Sequence, residues 1–61
     1  MCVIIIKNNN NKIPNKTLQK SSVVNPHGLG IVWLDTYKIE YTDSKNYSRL
    51  DTNRPFIAHF R

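Results

Sequence analysis

The second residue of this chain combines two groups that could do chemistry together. Cys2 lies directly behind the initiator methionine, and removal of Met1 would leave one residue with both a thiol and a free α-amine. A thiol attacks as its thiolate, and an adjacent base is a standard way of generating that thiolate. An α-amine titrates near ~7.7–8.0, so part of it is unprotonated at neutral pH. These groups predict Cys2 as a nucleophile, although a free cysteine at the start of a strand is also commonly buried and inert.

The two histidines offer the other side chains with catalytic or ligating chemistry. Cys2, His27 and His59 could be imagined as a set of metal ligands, but their spacing matches no recognised zinc pattern. We therefore predict no metal site and no cofactor. A single cysteine also excludes an internal disulfide and is typical of a reducing compartment.

The size and charge of the chain limit the classes of protein that it could be. Its 61 residues predict a single small domain over 1–61, and its first apolar run is too short to span a membrane or to act as a signal peptide core. The net charge of +5 permits binding to nucleic acid. However, the basic residues are spread along the chain and no nucleic-acid-binding motif accompanies them, so a solvated basic face is favoured.

The elements that must position Cys2 begin with an apolar strand and a short helix. Val3 to Ile6 are β-branched and predict a strand buried on both faces. Residues 16–24 predict two helical turns, with Asn15 as a candidate N-cap and with Leu18 and either Val23 or Val24 facing inward. Asn25-Pro26 ends this helix, because the residue before a proline avoids the helical region.

The second half of the chain predicts three more strands. Ile31 to Asp35 and Lys38 to Thr42 form a hairpin around a turn at Thr36-Tyr37, and Pro55 to Arg61 form the last strand. The intervening residues 43–54 are polar and predict irregular structure. The short hairpin connection implies antiparallel pairing. We therefore expect an α+β fold with an antiparallel sheet of about four strands and one short helix, which leaves one face of the sheet poorly covered.

Three segments carry a resemblance to a known family. They are Met1-Cys2-Val3-Ile4-Ile5, Asn25-Pro26-His27-Gly28-Leu29-Gly30-Ile31 and Ile57-Ala58-His59-Phe60-Arg61. In their order and spacing they resemble the N-terminal part of class II glutamine amidotransferase domains, which are N-terminal-nucleophile hydrolases, and in particular the short versions found in bacteriophages. The resemblance implies a fold like the first half of that family's sandwich.

The resemblance also implies roles for four residues. Cys2 would be the nucleophile that attacks the side-chain amide of glutamine or a related amide, with its own α-amine carrying the proton. Arg61 would hold the α-carboxylate of the substrate, a task suited to a planar and permanently charged guanidinium. Gly28 and Gly30 would let the backbone pass close to the substrate, since neither has a Cβ.

The sequence departs from the family in one important respect. The Asn-Gly pair that supplies the family's oxyanion hole does not occur in these 61 residues. We therefore expect the N-terminal portion of an amidotransferase-like domain with little activity alone, which is either a fragment or one piece completed by another chain. A protein partner or self-association is possible. The alternative is a non-catalytic basic phage protein that binds nucleic acid, a virion component or a host protein. Either hypothesis predicts a location in the cytoplasm of the host cell or on the virion, without a membrane.

Overall fold

A computed structural model describes residues 2–61 and shows an α+β fold. The elements in chain order are β1 (Val3–Lys7), α1 (Asn15–Val24), β2 (Leu29–Trp33), β3 (Lys38–Thr42), a 3₁₀ helix (Ser44–Leu50) and β4 (Phe56–Phe60). The strands form one sheet in the order β1-β4-β2-β3, and each neighbouring pair is antiparallel. The predicted fold class, a small antiparallel sheet of four strands with one short helix, is confirmed.

One face of the sheet, here called the inner face, holds the hydrophobic core. Side chains alternate across a strand, so every second residue of β2 and β4 points to this face and is buried. Leu18 of α1 and Leu50 of the 3₁₀ helix, both fully buried, pack against them. The core comprises Leu18, Leu29, Ile31, Trp33, Leu50, Phe56, Ala58 and Phe60.

Helix α1 has one apolar anchor in the core. Leu18 is fully buried, whereas Val23 and Val24 are 72% and 58% exposed, so the prediction that one of the valines faces inward is wrong. The residues that share the face of Leu18 lie three and four positions further on, and these are the buried Ser21 and Ser22. The helix begins at Asn15 behind Pro14 and has no side-chain cap, so Asn15 is not an N-cap.

Strand β1 lies at an edge of the sheet and is buried on one face only. Ile4 and Ile6 are 63% and 69% exposed, while Val3 and Ile5 pack against the core. The prediction of a strand buried on both faces is therefore wrong. Within residues 2–61 no helix or strand covers the second face of the sheet, so the β-branched run of β1 has an exposed side.

Lys7 is buried at the end of β1, which its charge did not predict. Its ammonium donates hydrogen bonds to the carbonyl oxygens of Asn11 and Thr52, the latter at 2.7 Å, and lies 5.0 Å from the centroid of the Phe56 ring. Burial, with a smaller contribution from the charge of Lys12, lowers the pKa of Lys7 below its ordinary value. These hydrogen bonds hold the loops that contain Asn11 and Thr52 against the edge of the sheet.

The segment predicted to be irregular contains the 3₁₀ helix. The carboxylate of Asp43 accepts a hydrogen bond from the backbone N–H of Lys45 and caps this helix. Leu50 closes the core from its last turn. Within residues 2–61, no helix combines the length and apolar character that crossing a membrane requires.

Candidate active site

Cys2 lies immediately before β1, and this cysteine is free and exposed. The β1–β4 register pairs Val3 with Phe60, so the next residues on each strand, Cys2 and Arg61, come to the same end of neighbouring strands. Both follow the alternation that leads to the uncovered face of the sheet. The first and last strands thus bring the predicted nucleophile and the predicted carboxylate-binding residue together.

The turn before β2 meets Arg61 from its other side. The N–H of Arg61 donates to the carbonyl oxygen of Gly28 at 2.9 Å, and the N–H of His27 donates to the carbonyl oxygen of Arg61 at 2.6 Å. These bonds continue the β2–β4 pairing past its last partners, Leu29 and Phe60. The backbone of Arg61 is therefore held in place on the side of β2.

A shallow depression of about 170 Å³ opens at this end of the sheet. Its lining comprises Gly28, Leu29, Gly30, Tyr41, Thr42, His59 and Arg61. All three residues that the resemblance assigned to substrate binding are in this set, whereas Cys2 is not. The volume is below the ~300–1,000 Å³ of typical drug-sized pockets and suits a molecule of the size of one amino acid.

Only one of the two glycines has open space beside it. Neither has a positive φ, so neither is required by the conformation of the chain. A Cβ on Gly28 would meet nothing within 4 Å. A Cβ on Gly30 would lie 3.4 Å from the ring of Tyr41, so this ring occupies the space beside Gly30. Close passage of the backbone to a substrate is thus sterically possible at Gly28.

The charge of the depression favours an anionic ligand. Arg61 supplies a permanent positive charge and is exposed, and His59 lies half-buried on the same wall. No aspartate or glutamate is among the lining residues. A guanidinium can bind both oxygens of a carboxylate at once. Sequence reasoning did not assign Tyr41 and Thr42 to the site, because only the β2–β3 pairing brings β3 beside Gly30.

A second polar cluster lies on the β2–β3 hairpin. Arg54 binds both carboxylate oxygens of Asp35 at 2.8 and 2.9 Å and stacks 4.0 Å from the centroid of the Trp33 ring. Glu40 accepts hydrogen bonds from Arg49 at 2.6 Å and from the Trp33 indole at 3.2 Å. The hydrogen bond from Arg54 lowers the pKa of Asp35, and those from Arg49 and then Trp33 lower the pKa of Glu40. The charged side chains of this second cluster are paired with one another, so we assign the cluster a structural role.

Four of the nine basic residues are engaged by these and similar contacts. Lys7 is buried, and three others pair with carboxylates: Lys12 with Asp51, Arg49 with Glu40, and Arg54 with Asp35. The remaining five are divided among different elements: Lys16 and Lys20 on α1, Lys38 on β3, Lys45 on the 3₁₀ helix, and Arg61. This distribution gives no support to an extended nucleic-acid-binding surface.

The part of the chain that the structure describes contains no group of three or more His, Cys, Asp or Glu side chains arranged to hold a metal ion. Comparison of the chain with protein-family models, with curated proteins and with solved structures gives no match. The resemblance to the amidotransferase family therefore stays a prediction that depends on the three sequence segments.

Proposed function

We propose that this chain forms the nucleophile-bearing part of a class II glutamine amidotransferase-like site. The observation that carries the proposal is the depression at the end of the sheet, which Gly28, Gly30 and Arg61 line together. Cys2 lies at the adjacent end of β1. The four residues that the family resemblance selected from distant parts of the sequence are thus neighbours at one end of three adjacent strands.

The proposed chemistry needs removal of Met1. The free α-amine of Cys2 takes the proton of the thiol, and the thiolate attacks the side-chain amide carbon of glutamine. Collapse of the tetrahedral intermediate releases ammonia, which carries the proton away, and leaves a thioester on Cys2. Water then hydrolyses this thioester to glutamate. Arg61 holds the α-carboxylate throughout and so orients the amide towards the thiol.

The oxyanion of that intermediate has no donor of the family's Asn-Gly type in these 61 residues. Loss of one such donor typically lowers the rate by ~10²–10³. We therefore propose that these 61 residues bind and capture glutamine-like amides, and that fast turnover needs donors from outside them.

The test is covalent capture followed by intact mass. A glutamine analogue with a diazoketone in place of the amide forms a thioether with a cysteine thiolate and releases N₂. We expect a mature chain without Met1 that gains one adduct, whereas Cys2→Ala gains none. A retained Met1, or equal labelling of Cys2→Ala, would rule out the proposed mechanism.

Arg61 variants test whether capture depends on recognition of the carboxylate. Arg61→Ala should slow labelling by the analogue at least about tenfold, because a charge-assisted hydrogen bond is lost. Arg61→Lys should be intermediate, since lysine keeps the charge without the bidentate fork. Alkylation by iodoacetamide, which has no carboxylate, is the control and should be the same in all three proteins. Equal slowing of both reagents would indicate a change in thiol reactivity instead of substrate binding.

Gly28→Ala tests the location of the site. A Cβ at this position would meet nothing within 4 Å, so the fold should be unaffected, while the added methyl group takes up open space beside a residue that lines the depression. We expect slower labelling by the glutamine analogue with unchanged alkylation by iodoacetamide. Unchanged labelling by both reagents would show that the analogue does not occupy this depression.

A further inference from the structure

The face of the sheet opposite the core, here called the outer face, is apolar and uncovered. Its positions form two rows across all four strands, given by the register. The first row is Ile6, Ile57, Val32 and Ile39, and the second is Ile4, His59, Gly30 and Tyr41. Ile4, Ile6, Ile39 and Tyr41 are between 61% and 83% exposed. Soluble monomers rarely leave a contiguous apolar patch of this kind open to water.

The charge pattern of the outer face favours an uncharged, apolar partner. Neither row contains a lysine, arginine, aspartate or glutamate, and the exposed Arg61 lies beyond the second row at the end of the sheet. Against the two rows, another apolar face would leave no ion buried without a partner. Among the five basic residues that are neither buried nor paired with a carboxylate, Lys16 and Lys20 belong to α1, which packs on the inner face. The repulsion that these two lysines add between two copies is weakened by salt, because exposed charges more than about 10 Å apart are largely screened.

The dimensions of the outer face match a small interface between two copies. Four strands spaced by about 4.8 Å, with five residues at about 3.4 Å each, cover about 19 by 17 Å. Side chains project from this plane, so the accessible surface of each face is larger than its flat area. Packing two such faces together would bury on the order of 1,000 Å² in total, close to the ~1,200 Å² at the lower limit of specific interfaces. Two twisted sheets pack face to face about 10 Å apart in many sandwiches.

We infer that two copies of this chain associate through their outer faces to form a sheet-on-sheet dimer. The aliphatic row of each copy packs across that of the other, as in an isologous interface. Gly30, Tyr41 and His59 belong both to the outer face and to the lining of the depression, so the second copy closes its open side. This inference does not depend on the chemistry of Cys2.

Sedimentation equilibrium over a wide concentration range tests the dimer. We expect reversible association with a Kd on the order of 10 µM, as suits a small apolar interface. The double variant Ile6→Lys/Ile39→Lys should weaken it at least about tenfold, because it places charges in both halves of the aliphatic row. A wild-type chain that stays monomeric throughout, or that forms open-ended assemblies, would overturn the inference.

Val23→Lys/Val24→Lys is the matched control. It adds the same charge at two residues of α1 that are 72% and 58% exposed, close to the 69% and 61% of Ile6 and Ile39. We expect its Kd to equal that of the wild type within about twofold. Equal weakening by both double variants would show that net charge, not the outer face, controls association.

Ile39→Thr separates weakened association from loss of the fold. Threonine keeps the β-branch that suits a strand, so this variant should retain the circular dichroism spectrum of the wild type and still weaken the dimer. A dimer that survives both outer-face changes would have to use another surface and would overturn the inference. Labelling of Cys2 in a strictly monomeric chain would defeat the dimer alone, whereas a dimer without labelling would defeat the proposed amidotransferase chemistry alone.

Discussion

Tyr37 is the one non-glycine residue within 2–61 that has a positive φ, at 59°. It ends the turn between β2 and β3, where its N–H donates to the carbonyl oxygen of Trp33 at 2.6 Å. A bulky residue in the left-handed region is strained. Because Tyr37 is 81% exposed, packing of its side chain contributes little stabilisation to offset this strain. The hairpin therefore forms despite this residue.

Replacement of Tyr37 should stabilise the protein. Asparagine tolerates the left-handed region far better, so we expect Tyr37→Asn to raise the free energy of unfolding by ~0.5–1 kcal/mol. Urea unfolding monitored by circular dichroism measures the change. The matched control is Tyr41→Asn, since Tyr41 is equally exposed but lies in regular β3. A loss of stability in Tyr37→Asn would mean that the tyrosine ring makes a contribution larger than the strain.

At the residue scale, local sequence indicates what chemistry a side chain could do. The thiol and α-amine make Cys2 a candidate nucleophile, the role of Arg61 is what the family resemblance implies, and both stay predictions. The burial of Lys7 has no such local signal, since it depends on carbonyl groups of Asn11 and Thr52 that only the folded loops bring close. The aromatic residues show the same limit. Trp33 is buried, whereas Tyr37 and Tyr41 are more than 80% exposed.

Among the elements, α1 depends on a single side chain for its attachment to the sheet. Leu18 is fully buried in the core, and its neighbours on the same face are serines. We expect Leu18→Ala to cost ~2–5 kcal/mol, which is a large part of the stability of so small a domain. Loss of helical circular dichroism at a lower urea concentration than in the wild type would measure it.

Val23→Ala is the control for this prediction. Val23 is on the same helix but 72% exposed, so its truncation should change the free energy of unfolding by no more than about 0.5 kcal/mol. Comparable losses in the two variants would contradict the view that Leu18 alone anchors α1.

Element types were predictable from local patterns, whereas their surroundings were not. The alternation of Phe56, Ala58 and Phe60 with Ile57 and His59 predicted β4 and its two faces correctly. Asn25-Pro26 likewise marked the end of α1. The 3₁₀ helix was missed because it is polar and short, with its one buried apolar residue, Leu50, at the very end. The edge position of β1 is a property of the strand order, which local sequence does not encode.

For the molecule as a whole, two carboxylates make stability sensitive to acid. Both Asp35 and Glu40 have a pKa below its ordinary value in the folded state, owing to Arg54 and Arg49 respectively. The unfolded chain therefore binds protons more readily as the pH falls. The stabilisation that these two ionised carboxylates contribute is fully present above their pKa values in the unfolded chain, near ~4. It is lost as the pH falls through their lower pKa values in the folded protein.

Glu40→Gln should weaken this dependence. Glutamine can still accept the indole hydrogen bond but has no charge to pair with Arg49, so the decline in stability below about pH 5 should be shallower than in the wild type. Urea unfolding at a series of pH values gives the slope directly. Identical slopes would show that Glu40 has the same proton affinity in the folded and unfolded chains.

The sheet order joins the two ends of the described chain, since β1 pairs only with β4. This feature has a kinetic consequence. The contact between Val3 and Phe60 closes nearly the longest loop that the chain can form, so it carries a large entropic cost and depends on the pairing of β2 with β4. Cys2 and Arg61 become neighbours only when that loop closes. We therefore predict that the thiol and the guanidinium of the proposed site come together late in folding, and that fraying of β1 separates them before the core opens.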